Sequence, residues 1–281
     1  MIVGSRRARL ASRAVRYIVL TALAVVLVYP FLFMVSVSFK SRTNSLGNPF
    51  VLIPDEPTID NYVRALTQER FGLYFMNSAG VAIVSTLLIV LLSSMMAYGF
   101  TRFQFPGRKL LFGLIIAGLT IPTMMLLLPQ FILAKDLGLL NSLPGLVPFY
   151  VGTALGFNTF LLSGFFESIP KELEEAMLID GAGPFRRYWN LALPLSKPAL
   201  ATTVIFAFLG TWDEFVWALT VLNDEGARTL PIAIALFQGQ HSTSWGLVFA
   251  ASLIAIIPVL IIYIIFQRFF VAGLTTGAVK S

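Results

Sequence analysis

Cysteine is missing from all 281 residues, which excludes disulfides, thiolate metal sites and cysteine nucleophiles together. A single histidine, His241 in the polar stretch QGQHSTSW, leaves no multi-histidine metal centre and reads as a solvated side chain. No Gly-Lys pair occurs anywhere. The chain therefore lacks the G-x-x-x-x-G-K-[ST] loop whose amides and lysine hold a nucleotide's phosphates. There is also no Ser-His-Asp or metal-helix pattern, no internal repeat and no low-complexity segment. Charge is scarce as well: 12% of residues are charged, where a soluble domain carries about 25%.

Apolar sequence fills the space. Hydrophobic residues make up 57% of the chain and the mean hydropathy is +0.82, which points to lipid as the solvent. Long runs occupy 15–39, 75–100, 110–134, 143–166, 198–222 and 245–270. Each is long enough for a helix to cross a hydrocarbon core of about 30 Å. The first run follows Arg6, Arg7, Arg9, Arg13 and Arg16, the flank of a signal peptide, but it is too long for one and has no small-residue cleavage site before Lys40. It is read as a retained span. The expected fold is all-α: a polytopic membrane protein of six transmembrane helices, with a tail over 1–14 and one membrane domain over 15–281.

The net charge of +6 does not call for nucleic acid in so apolar a chain, because basic residues here mark cytoplasmic loops. With the N-terminus inside, 14 of the 20 Lys and Arg fall on inner segments and Lys40, Arg42, Arg64, Arg70, Lys135 and Arg228 fall outside. Both ends are therefore expected in the cytoplasm.

Two loops are more than turns. The outer one, about 41–74, contains three prolines and then TIDNYVRAL, where Thr58 can cap a short helix with Tyr62 and Leu66 on one face. Such a helix lying at the membrane surface is the simplest expectation. The inner one, about 167–197, reads ESIPKELEEAMLIDGAGPFRRYWNLALPLSK. Pro170 and the glutamates after it signal a helix over 170–180, with Leu173, Ala176 and Met177 on one face. Gly181 can take the left-handed conformation that ends it, and Pro184 opens a second short helix reaching about Leu193. Interfacial helices carry basic residues to meet anionic lipid. This first helix sets Lys171 against Glu172, Glu174, Glu175 and Asp180, which suits a groove on a cytosolic protein better. Resting on headgroups is the alternative.

Glu175, Ala176 and Met177, then three residues, Gly181, nine residues and Leu191-Ala192-Leu193-Pro194 resemble the EAA loop of ABC importer permeases. That pattern is E-A-A, three residues, G, nine residues, I-x-L-P. Met177 and Leu191 depart from it while remaining apolar. NYVRAL in the outer loop, TRFQFPGRK after the second span, Ile121-Pro122 and the ending QRFFVAGLTTGAVKS are similar to the carbohydrate-uptake, maltose-system G-type permeases. The resemblance covers nearly the whole chain and implies a type I ABC importer permease fold.

It also implies that the loop couples to a separate ATPase through Glu175, Ala176, Met177, Asp180, Gly181 and Pro194. The C-terminal tail, about 271–281, would touch the same ATPase through Gly277 and Lys280; a frayed terminus is the alternative. The implied partners are a second homologous permease completing the pore, an ATP-binding-cassette ATPase dimer and an extracytoplasmic solute-binding protein. ATP and Mg would bind the ATPase, with no cofactor in this chain. A bacterial cytoplasmic membrane is the implied location.

Ionisable groups within spans are costly and ask for a function. Asp213 and Glu214 in GTWDEFVWALTVL lie about 15 residues into the fifth span, roughly 20 Å deep at 1.5 Å per residue. Carboxylates accept bonds from sugar hydroxyls, and Trp212 and Trp217 offer flat faces to sugar C–H groups. Helix packing, interfacial anchoring or pairing of Glu214 with a neighbouring span accounts for the same residues. Asn158 in the fourth span and Gln130 in the third are further candidates for the solute path, or bridges between helices. Pro122 and Pro129, seven apart, should kink the third span and free backbone groups for a cavity.

The expected solute is a di- or oligosaccharide. A polyol or glycerol phosphate permease shares the same features. A proton-coupled carrier would use Asp213 and Glu214 as its relay, and a membrane enzyme would need a constellation that the sequence lacks.

Overall fold

The structure is a computed structural model describing residues 6–41, 51–67, 70–237 and 243–278. His241 and Lys280 lie outside the described residues. The elements are α1 (Arg6–Ser38), α2 (Asp60–Thr67), α3 (Phe71–Arg102), α4 (Arg108–Gly118), α5 (Leu127–Asp136) and α6 (Leu143–Glu167). They continue with α7 (Lys171–Ile179), α8 (Pro184–Arg187), α9 (Leu193–Leu195), α10 (Lys197–Trp212), α11 (Val216–Val221), α12 (Leu230–Leu236) and α13 (Trp245–Ala278). Among the described residues there is no β-strand.

Among the described residues, five stretches are long and apolar enough to cross a bilayer: Ser12–Ser38, Phe71–Arg102, Leu143–Glu167, Lys197–Val221 and Trp245–Phe269. A sixth crossing counts the bent pair Arg108–Gly118 and Thr123–Asp136 as one broken span. The kink expected of the third span is thus a full break, its two parts meeting at 97°. The reason is local. Pro122 has no N–H and disfavours helix at Ile121. The helix before it unwinds through tighter turns, Thr120 N–H to Ala117 O at 3.1 Å and Ile121 N–H to Gly118 O at 3.2 Å. Pro129 falls in the first turn of α5, where a missing amide costs nothing, so it adds no second break.

Other boundaries shift. The second span starts at Phe71, four residues earlier than the hydropathy edge, after Arg70 turns the chain at φ 58°. The fifth is interrupted between Trp212 and Val216. The sixth runs on to Ala278, so most of the segment read as a tail has helical backbone.

By packing, the chain divides into two units. One comprises the described residues of the first 70 with Ile234–Ile254. Here α2 docks through Asn61, whose amide donates to Ser38 O at 2.9 Å and Lys40 O at 2.8 Å, while Tyr62 pairs with Ser38 at 2.7 Å. Thr58 accepts the Asp60 amide at 3.1 Å, starting the helix as its sequence predicts. Gly246 lies so close to Asn61 that a Cβ would meet its amide nitrogen at 2.5 Å.

The other unit comprises Phe71–Ala233 and the described residues after Ile254. Here α3 is the central element, packed against α6 and α10. Its buried Ser93, Ser94 and Ala97 allow the close approach that replaces a hydrophobic driving force in lipid. Near its start, Asn77 donates to Gly226 O at 3.0 Å and Arg228 O at 2.9 Å, and Ser78 Oγ accepts the Leu230 amide at 2.8 Å. The loop after α11 is thereby fastened to α3.

Candidate functional site

In the loop over 167–197, Pro170 precedes α7 and Gly181 ends it at φ +76°. The amide of Ala182 reaches back to Met177 O at 2.9 Å and that of Gly181 to Leu178 O at 3.0 Å, satisfying carbonyls that a helix end leaves open. Beyond the turn, α8 runs into a wide-turn segment Tyr188–Ala192 and then α9. Pro194 sits just past that segment and cannot add an amide to the ladder, which suits a locally widened helix.

Of the nine residues of α7, only Glu174 is buried. Its Oε1 lies 2.7 Å from Arg102 Nε, off the N–H axis, and its Oε2 lies 4.0 Å from Arg187. Arg102 also donates through Nη2 to Phe166 O at 2.7 Å and Ile169 O at 3.1 Å. Tyr188 pairs with Ser94 of α3 at 2.8 Å and packs on Tyr98 at 5.2 Å. Burial pushes its phenol pKa up, with the Ser94 hydrogen bond opposing, so the hydroxyl stays neutral.

Facing away, Glu175, Ala176, Asp180, Gly181 and Pro194 are exposed and Met177 is half-buried. Leu178, Ile179, Phe185 and Trp189 flank the turn in the open, Ile179 at 87% and Phe185 at 70% of full exposure, with Phe185 and Trp189 stacked at 6.2 Å. Exposed large apolar groups around a polar turn are the composition of a docking surface. The helical face read from sequence, Leu173, Ala176 and Met177, is thus only part of it. Leu178 and Ile179 belong to it as well: Ile179 lies about 140° round the helix from the inward-turned Glu174, and Leu178, one turn beyond Glu174, is in the open at the helix end. An Arg at a span end facing an acidic loop was the available signal, yet Arg102 counted in the sequence only as a topological charge.

The polar groups of the spans divide differently. Glu214 accepts from Tyr150 Oη at 2.8 Å, Trp217 N at 2.7 Å and Ala218 N at 3.0 Å. It satisfies two of the amides that the start of α11 leaves open and fastens the break to α6. Asp213 beside it is exposed. Trp212 is buried, its indole donating to Ala255 O at 3.1 Å and its ring set against Phe75 and Phe208. Asn158 is buried and donates to Ala154 O of its own helix, its carbonyl oxygen having no hydrogen-bond partner among the described residues. Gln130 lines a cavity of about 800 Å³ between the broken third span and α6, shared with Thr123 and Thr153. Among the described residues no hydrogen bond joins Gln130 or Asn158 to the Asp213–Glu214 pair. Gly277 lies in the last turn of α13.

A multi-pass helical chain with a Gly-hinged loop of exposed apolar side chains and two interrupted spans has the form of a transport subunit. The family described as binding-protein-dependent transport system inner membrane component matches residues 89–276. The trehalose/maltose transport system permease protein MalG of Thermococcus litoralis is 39% identical over 92% of this chain and 94% of its own length. The diacetylchitobiose uptake system permease protein NgcG of Streptomyces coelicolor is 36% identical over 95% and 89%. A chain in the crystal structure of a bacterial ABC transporter involved in the import of the acidic polysaccharide alginate superposes with a TM-score of 0.81 at 25% identity, covering 96% of this chain and 100% of that one. The chain belongs to this family and is a permease subunit of an ABC importer.

Proposed function

We propose that this subunit carries a di- or oligosaccharide across a bacterial cytoplasmic membrane as one of two homologous permeases, both its termini lying in the cytoplasm. A separate ATPase dimer, binding ATP and Mg, docks on the loop and drives the helices. An extracytoplasmic binding protein delivers the sugar. The observation that carries the reading is the exposed apolar surface around Gly181, built on the EAA spacing and held on a buried ionic anchor. The sugar class rests on relatives whose names specify trehalose/maltose and diacetylchitobiose.

Within the chain, Gln130 and the exposed Asp213 are the groups offered to solute. Glu214, Trp212 and Asn158 would act from behind them, shaping the path. Gly277, in the last helix, and Lys280 extend the ATPase contact. The test is purification of the chain with its co-purifying subunits, followed by ATPase assays with the binding protein and a panel of trehalose, maltose, diacetylchitobiose, glycerol and glycerol phosphate. Stimulation by a disaccharide is expected. Recovery of the chain without an ATPase would end the importer reading, and stimulation by glycerol phosphate alone would end the sugar assignment.

A further inference from the structure

We infer that Arg102 is the positioning residue that makes the EAA loop move with α3 and α6 as one body. Force received at the Gly181 turn then reaches the spans instead of being absorbed within the loop. The inference rests on the importer function proposed above.

Arg102 is the last residue of α3. A basic side chain that only marks topology extends toward water or headgroups. This one is turned inward, 7% exposed, and joins three parts of the chain: Phe166 O in the last turn of α6, Ile169 O in the linker, and Glu174 of α7. The guanidinium sits where α6 leaves carbonyls open, which also complements the negative end of that helix. The extended guanidinium reaches both carbonyls through Nη2 while setting Nε beside the carboxylate; a lysine ammonium presents one nitrogen for all three. Among the described residues the side chains of α7 make no other hydrogen bond or ion pair than those at Glu174. The polar attachment of α7 is therefore concentrated in one carboxylate, and that carboxylate is held by the residue that ends α3. Removing one partner leaves a buried charge unpaired, which costs more than the pair itself contributes.

The absence of cysteine makes a direct test clean. Leu91→Cys on α3 and Glu172→Cys on α7 carry a pair of spin labels in the full complex, assembled with cysteine-free partner subunits in lipid. The distance between them is read without nucleotide and after trapping with ATP and vanadate. The expected result is one narrow distribution with the same centre in both states. Arg102→Gln should broaden it and lower sugar import per ATP about tenfold, using the sugar that stimulates the wild-type complex most. Arg102→Lys should recover part of the loss. Where Arg102→Gln fails to assemble, Glu174→Gln provides the same comparison with a smaller loss. A distance that shifts between the two states with the clamp intact overturns the inference, as does a variant with wild-type import per ATP. Failure of the importer reading is separate: the wild-type complex would then contain no ATPase or show no ATP-driven import.

Discussion

The EAA loop and the break in the fifth span both place carboxylates at the ends of short helices, yet they use them in opposite ways. Glu174 turns inward to a guanidinium, so the apolar side chains of the loop can face out. Glu214 turns inward to two amides and a phenol, replacing the water that a helix start would use outside a membrane. The first arrangement leaves an apolar surface open around Gly181, which the ATPase covers in the function proposed above. The second lets a helix stop and restart in lipid, leaving Asp213 as the open acidic group. A carboxylate in an apolar chain is thus no guide to solute contact until its partners are known.

The comparison breaks most readily at Gly181. Its φ of +76° is closed to proline, which is locked near −65°. Gly181→Pro should leave the chain inserted in the membrane but abolish ATP-driven uptake in proteoliposomes; wild-type uptake would remove the turn from the mechanism. Next in size is Ile179→Asp, which puts a charge on the most exposed apolar side chain of the loop. Recovery of the ATPase in a pull-down should fall about tenfold, the equivalent of one lost apolar anchor, and unchanged recovery would place docking elsewhere.

At the other region, Glu214→Leu should destabilise the chain by about 2 kcal/mol, because two helix-start amides and the Tyr150 hydroxyl lose their acceptor. Thermal unfolding of the detergent-solubilised complex measures this, with Glu214→Gln losing less. A midpoint unaffected by Leu would show that the break does not depend on its carboxylate. The smallest effect is expected at Gln130. Alanine there should raise the half-saturating sugar concentration roughly threefold, the worth of one neutral hydrogen bond, without altering assembly. An unchanged concentration dependence would assign the cavity to packing.

The spans and the Gly-hinged loop were legible because their causes are local: length and apolarity for the crossings, Pro170, Gly181 and Pro184 for the loop. The break before Pro122 was half legible, since the proline announces a kink but not a bend of 97°. The interruption after Trp212 has neither glycine nor proline within it, Gly210 still being helical, and the side chain that stabilises it has its partners on α6 and α11. Arg102 was hidden for the same reason. Its role depends on Glu174, 72 positions on, which only the packing of α3 against α6 brings within reach. Trp212 offered an aromatic face in the sequence, but the fold sets that face against Phe75 and Phe208.

At one end of α3, Asn77 and Ser78 hold the loop after α11, and at the other, Ser94 and Arg102 hold the EAA loop. A residue inserted between these two sets would rotate one end against the other by about 100° and lengthen the helix by about 1.5 Å. Neither set can follow such a turn while the other stays engaged. The stretch from Asn77 to Arg102 is therefore a gauge length, where substitutions are tolerable but insertions and deletions are not. Grafting loops between related permeases should succeed only when the donor preserves that count.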